Sequence, residues 1–281
     1  MTASDATHGR RTVGGREAPS GRGEAPAYER FLTLLEDAGV ETLRLPSDDT
    51  VGLDSLYARD ASILCERGVI LCNMAKPQRR TEPAAQEAAF RAAGIPIRGR
   101  ITGDGTVEGG DTCWIDERTL AVGRGYRTNE AGIRQLRDLV RDCVEELIVV
   151  PLPHWHGPED VFHLMSIVSP VDRDLLLVYA PLMPVPFREA LISRSIELVE
   201  VPAAEFDTLG CNVLAVAPRE VLMLAGNPET RARLERVGVT VREFAGREIC
   251  LKGGGGPTCL TGRCCGMRTG AACCCSVPAF R

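Results

Sequence analysis

One plan recurs along this chain at a spacing of about 50 residues, a period that points to a solenoid or propeller-like array. Two short apolar runs flank a polar turn, an amphipathic run follows, and another β-rich run closes each unit. The predicted hairpins are Ala61–Cys65 with Val69–Asn73, Thr112–Ile115 with Leu120–Gly123, Ser166–Pro170 with Leu175–Tyr179, and Asn212–Ala217 with Val221–Ala225. The helical runs are Glu82–Ala93, Asn129–Glu145, Val185–Arg194 and Pro228–Val237. They lead to Ile97–Arg100, Glu146–Val150, Ile196–Val201 and Val239–Phe244. Four ββαβ units are visible, so the class is α/β. A fifth needs a strand after Cys259 joined to a helix at Ala27–Ala38 and a strand at Glu41–Leu45. Closing a ring through both termini leaves no long exposed sheet edge.

The repeat gives scattered polar residues a common address. Asp60, Asp111, His163, Cys211-Asn212 and Cys259 each stand just before the first strand of a unit, and a radial array gathers such positions at one axial end. Cys259 closes the run Gly253-Gly-Gly-Gly-Pro-Thr-Cys259, where glycine lets the backbone approach a ligand and nearby amides can favour a thiolate. A thiolate attacks electrophilic carbon and a histidine protonates the leaving group. Asp60, Glu108 and Asp111 would raise the thiol pKa unless a cation joins them. A guanidinium resolves the conflict, because its planar fork of N–H donors suits paired carboxylates. Of the other histidines, His8 lies near the N-terminus, while His154 and His156 flank Trp155 in a Pro-rich stretch that suits a substrate loop or a surface loop.

Composition excludes some classes. The chain has 281 residues and a net charge of −5, with no long Lys/Arg block, so neither nucleic acid nor a membrane surface is an expected partner. Met1–Arg11 lacks a signal-peptide core and no apolar run approaches the roughly 20 residues of a span, so a cytoplasmic location is expected. Of twelve cysteines, six sit singly in apolar segments, as reduced core cysteines do. The others lie at or beyond Cys259, chiefly in a tail with no hydrophobic period and no regular metal-ligand spacing. That tail reads as out-of-frame translation after Thr261, with a metal-binding tail as the alternative.

Taken together, the motifs resemble those of the arginine deiminase, dimethylarginine dimethylaminohydrolase and amidinotransferase superfamily from about Asp54 to Thr261. The segment Asp54-Ser-Leu-Tyr-Ala-Arg-Asp60 resembles a family pair of aspartates, Gln78-Arg79-Arg80 an arginine pair, and Glu108-Gly-Gly-Asp111 the EGGD motif. Gly125-Tyr-Arg127-Thr-Asn129 is similar to a segment with a second arginine, His163-Leu164 to the catalytic His-Leu, and Gly255-Gly-Pro-Thr-Cys259 to the nucleophile loop. The resemblance implies a five-fold pseudosymmetric α/β-propeller, the pentein fold. It implies Cys259, His163 and Glu108 as catalytic residues, with Asp60 and Glu108 on the guanidinium and Asp111 supporting. Asp54 would meet the α-amino end, and Arg79 and Arg127 an α-carboxylate. The implied reaction is cysteine-dependent hydrolysis of arginine or N-methylated arginine through a covalent thiouronium. Amidino transfer to an amine is the alternative, and an impaired arginine-binding protein another. No cofactor and no metal are expected, and a homodimer is the assembly considered.

Two features depart from the family pattern. Met165 stands where deiminases and amidinotransferases show the aspartate of His-x-Asp, and Arg59 where dimethylargininases tend to have glutamate. Residues 12–23 show no credible strand. The expected organisation is therefore a disordered N-terminus (1–25), one catalytic domain (26–261) and a disordered tail (262–281). An incomplete fifth unit, an open ring and a poorly ordered nucleophile loop follow from it.

Overall fold

The computed structural model describes residues 12–13, 16–17, 24–264 and 273–276. A short ribbon pairs β1 (Thr12–Val13) with β2 (Arg16–Glu17), where no strand was expected. Helix α1 (Glu24–Asp37) and strand β3 (Glu41–Arg44) follow. The first full unit is β4 (Ser62–Cys65), β5 (Gly68–Leu71), α2 (Glu82–Ala92) and β6 (Ile97–Arg100). The second is β7 (Thr112–Trp114), β8 (Thr119–Arg124), α3 (Glu130–Val140) and β9 (Glu146–Pro151). The third comprises β10 (Val168–Asp172), β11 (Leu175–Val178), α4 (Val185–Ser193) and β12 (Glu197–Glu200). The fourth runs through β13 (Val213–Ala217), β14 (Glu220–Leu224), α5 (Pro228–Arg236) and β15 (Thr240–Phe244). Strands β16 (Thr261–Cys264) and β17 (Cys273–Ser276) then complete the set.

Every unit has the same sheet. Its first two strands pair antiparallel as a hairpin, and its third returns parallel beside the second. The tight turns need particular residues. Gly68 has φ +121°, and a Cβ there would lie 2.2 Å from the carbonyl oxygen of Pro96, so only glycine fits. Pro170 sits beside a register shift in β10, the kind of irregularity that tolerates a missing N–H. β4 and β11 are buried at every residue, whereas the third strands are half-exposed. First strands pack against first strands around the axis, β7 on β10, β10 on β13, and β16 on β4.

The helices clothe the rim. In α3, Ile133, Leu136 and Val140 are fully buried at the spacing of one helical face, and the Asn129 Oδ1 caps it by accepting from Gly132 N at 2.8 Å. Proline in the first turn starts α2, α4 and α5, as its fixed φ favours. Among the described residues no helix is long and apolar enough to cross a membrane.

The fifth unit corrects the expectation of an incomplete one. β16 pairs antiparallel with β17, and β17 pairs parallel with β3, Cys273 facing Glu41 and Ser276 facing Arg44. The segment read as foreign to the fold thus supplies the middle strand of the closing sheet. Helix α1 seals the same seam, its fully buried Phe31, Leu32 and Leu35 sharing a cluster with Leu56, Phe244, Ile249 and Leu260. Residues 1–11, 18–23, 265–272 and 277–281, on which the expected disorder chiefly fell, lie outside the described residues.

Candidate active site

The first strands bring the residues just before them to one axial end. Short 3-10 turns at Ala58–Ala61, Gly109–Asp111 and Leu164–Ser166 pack on one another in succession. They deliver Asp60, Asp111 and His163. Gly110 makes this possible, because a Cβ there would come within 2.6 Å of Asp60 Oδ1 and 2.8 Å of His163 Nδ1. Its amide N–H donates to Asp60 Oδ1 at 3.1 Å.

His163 is buried at the centre. Its Nε2 lies 2.8 Å from Glu108 Oε2 and its Nδ1 4.0 Å from Asp60 Oδ1. Asp111 stands behind it, with Oδ1 accepting from Leu164 N at 3.0 Å. Burial by itself would lower the His163 pKa. Asp60, Asp111 and Glu108 outweigh that and push it up to about 9, so the ring is an imidazolium at neutral pH. Burial raises the Glu108 and Asp60 carboxyls, but neighbouring cations win and both end below their usual values. Asp111, deprived of solvent, is pushed up to about 6 despite His163.

Cys259 arrives on the glycine loop. A single π-helical turn, Arg247–Leu251, leads into it, and Gly254 N and Gly255 N both donate to the Cys250 carbonyl, at 2.8 and 3.2 Å. Tyr57 fills the space beneath, so a Cβ on Gly255 would lie 2.4 Å from its ring. Asn212 fastens the other side, its Oδ1 accepting from Thr258 N at 3.0 Å and Thr258 Oγ1 at 2.9 Å. Its Nδ2 donates to Cys259 Sγ at 3.5 Å. The loop is packed against Tyr57 and tied to Asn212. Burial and the Asp60 charge raise the Cys259 thiol pKa, while hydrogen bonds from Gly256, Thr258 and Asn212 pull it down without cancelling the rise.

A cleft of about 420 Å³ opens over this centre, lined by Asp54, Asp60, Arg79, Arg127, His163 and Cys259 among others. Six of the eight residues singled out from the sequence therefore share one cavity. Glu108 and Asp111 stand behind His163. The two arginines differ in availability. Arg79 donates to Glu82 Oε1 and Oε2, both at 2.8 Å, to Asp60 Oδ2 at 2.6 Å, and to the Asp54 and Tyr57 carbonyls. Its guanidinium is engaged by these partners, where the resemblance implied an α-carboxylate. Arg127 donates to Glu108 Oε2 at 3.2 Å and to the Asp160 carbonyl at 3.0 Å, and its buried Nε has no hydrogen-bond partner.

Asp60, Glu108 and His163 present atoms within 4.8 Å of one another, a grouping that could ligate a metal ion. Arg79 donates to Asp60 and Arg127 to Glu108 in the same cluster. Sequence reasoning missed Lys76, which lines the cleft, and Glu82, whose one signal was its position three residues after Arg79. Asn212 stood at a strand start, but its bond to sulfur depends on residues 47 apart meeting in space. The two departures from the family pattern touch each other, with Arg59 Nη2 2.9 Å from Met165 Sδ and 3.2 Å from the Thr112 carbonyl.

Comparison with known proteins gives a consistent result. The family model described as "Arginine deiminase" matches residues 54–195 and 184–264. An N(G),N(G)-dimethylarginine dimethylaminohydrolase of Streptomyces coelicolor is 29% identical over 242 residues, 84% of this chain and 84% of the relative. An arginine deiminase of Rhodococcus erythropolis is 27% identical over 73% of this chain, which spans 58% of that relative's length. Among solved structures, a dimethylarginine dimethylaminohydrolase of Pseudomonas aeruginosa, a cysteine-to-serine mutant complexed with citrulline, superposes with a TM-score of 0.70 at 25% identity, covering 85% of this chain and 87% of that one.

Proposed function

The chain belongs to the arginine deiminase family, and from that premise we propose that it hydrolyses the guanidino group of arginine or N-methylated arginine through a covalent bond to Cys259. The observation that carries the reading is the meeting of a tied cysteine, a charged histidine and two ionised carboxylates around one cleft. A bound guanidinium donates N–H bonds to Asp60 and Glu108. Its positive charge offsets the Asp60 charge that holds the Cys259 proton in place, so the thiolate forms when substrate is present.

The Cys259 Sγ then forms a bond to the guanidinium carbon. The C–N bond to the leaving amine breaks, and the His163 imidazolium gives its proton to that nitrogen. The carbon remains on sulfur as a thiouronium. Water adds to it, neutral His163 takes the proton, and the C–S bond breaks to release a ureido product, citrulline from arginine. Arg127, with its free Nε–H, and Lys76 suit the α-carboxylate, and Asp54 the α-amino group. Arg79 holds Asp60 in place. A reducing, cytoplasmic setting belongs to the same reading, because the nucleophile is a free thiol.

The test is product mass spectrometry after incubation with arginine and its N-methylated forms, with and without an added amine. Citrulline without the amine, abolished in Cys259→Ser, is the expected result. Ornithine appearing with an amidinated amine would replace hydrolysis by transfer, and absence of any product would overturn both.

A further inference from the structure

A second cavity, about 790 Å³, adjoins the cleft and shares Val161, His163 and Cys259 with it. Its outer wall is aromatic. Trp155 meets Phe206 edge-on at 6.2 Å between ring centroids, and Phe206 is backed by Tyr179, stacked at 3.8 Å. Two lining residues hold an unusual backbone. Trp155 has φ +46° and Leu209 φ +64°, two of four non-glycine residues with positive φ among those described. Bulky side chains resist this conformation, and it persists where surrounding structure imposes it, often around a binding site. The turn that carries Trp155 is closed by Gly157 N donating to the His154 carbonyl at 2.8 Å, and His154 Nδ1 lies 2.6 Å from Tyr126 Oη. The indole is thereby held beside the reacting centre although it is 38% exposed.

Guanidinium geometry decides what enters this bay. The three nitrogens point 120° apart, so when one carries the amino-acid chain toward Arg127 and Lys76, another points elsewhere. The bay shares Cys259 and His163 with the cleft, and its lining includes neither of those cations. It is thus open to the nitrogen that His163 protonates on departure. We propose that it seats the substituent on that nitrogen, and that the substrates include arginines whose Nω carries an alkyl or arylalkyl group larger than methyl. The inference rests on the hydrolytic reading above and extends it. Trp155 and Phe206 supply faces for an apolar or aromatic group, and the step balances as before, with the substituent leaving on a neutral primary amine.

The experiment compares arginine with its Nω-methyl, Nω-propyl and Nω-benzyl derivatives, reading citrulline and the released amine. Calorimetric binding of the same compounds to Cys259→Ser, which does not depend on turnover, runs beside it. The benzyl compound is expected to match or exceed the methyl one in kcat/KM, and to bind the serine variant more tightly than arginine. Trp155→Ala should lower the benzyl-to-arginine ratio about tenfold in both measurements, and Phe206→Leu should lower it in the same sense, whereas Ile192→Ala, at an exposed position of α4 outside the bay's lining, leaves it unchanged. A stepwise loss of kcat/KM and affinity with substituent size, or a ratio indifferent to Trp155 and Phe206, would overturn the proposal. If nothing is hydrolysed, the hydrolytic reading fails, and the binding ratio alone then upholds or rejects the bay.

Discussion

His163 keeps its proton because three carboxylates outweigh the burial that opposes it, and this sets the pH behaviour of the site. An imidazolium is needed to expel the amine, so kcat should fall as pH rises through about 9. Stability follows the same group. A histidine pKa raised in the folded state adds stability in full below the unfolded value near 6.5, and that contribution is lost as pH rises through about 9. Glu108→Gln removes one of the charges and leaves a hydrogen bond in its place. NMR titration of the ring should then show the His163 pKa lowered by about one unit or more, with the alkaline limb of activity moving down alongside. A value unchanged from about 9 would mean that Glu108 is not among the groups that set it. Asn212 acts on the sulfur by donating to it, which favours the thiolate. In Asn212→Ala the thiol pKa should rise, and alkylation of Cys259 should shift to higher pH, with kcat reduced on the order of tenfold from one lost charge-assisted bond. The Asn212 effect is not visible in the sequence, because Asn212 reads there only as a strand-start residue with no link to Cys259.

The glycine loop shows how a short element converts composition into geometry. Four glycines and a proline announced close approach, but not to what. The fold supplies the answer in Tyr57, whose ring lies under Gly253 and Gly255 and whose Oη donates to the Ile249 carbonyl at 3.0 Å. A methyl at Gly255 would sit 2.4 Å from that ring, a separation that forces movement. Gly255→Ala should destabilise the protein by about 1–3 kcal/mol in urea unfolding and remove most activity by displacing Cys259. Wild-type stability in that variant would show that the loop has room to yield. Strand and helix positions were legible because periods of 2 and 3.6 survive in the sequence. The third hairpin begins later than its apolar pattern, at Val168 instead of Ser166, because Leu164–Ser166 is drawn into the turn that presents His163.

Across the whole molecule, ring closure joins the two ends of the chain. β17 hydrogen-bonds to β3 from the other terminus, and α1 buries Phe31 and Leu35 against the core beneath the nucleophile loop. Removal of residues 265–281 takes away β17 and leaves β3 and β16 without their shared neighbour. Thermal unfolding followed by circular dichroism should then begin several degrees lower, with loss of activity, since Cys259 directly precedes β16. Unchanged melting would mean that the fifth sheet contributes little. The tail misled sequence reasoning because strand β17 is Cys-Cys-Cys-Ser, a run with neither alternation nor the usual β-formers. Its pairing comes from the position to which four preceding units deliver it. The sequence by itself determined the ββαβ repeat, the address of the polar residues at strand starts, and the candidates proposed as nucleophile and acid, because local periodicity and short motifs are carried by neighbouring residues. Only the tertiary structure decided that the ring closes, that Arg79 serves Asp60 while Arg127 keeps a free donor, and that an aromatic bay opens beside His163, because each of these depends on contacts between residues far apart in the chain.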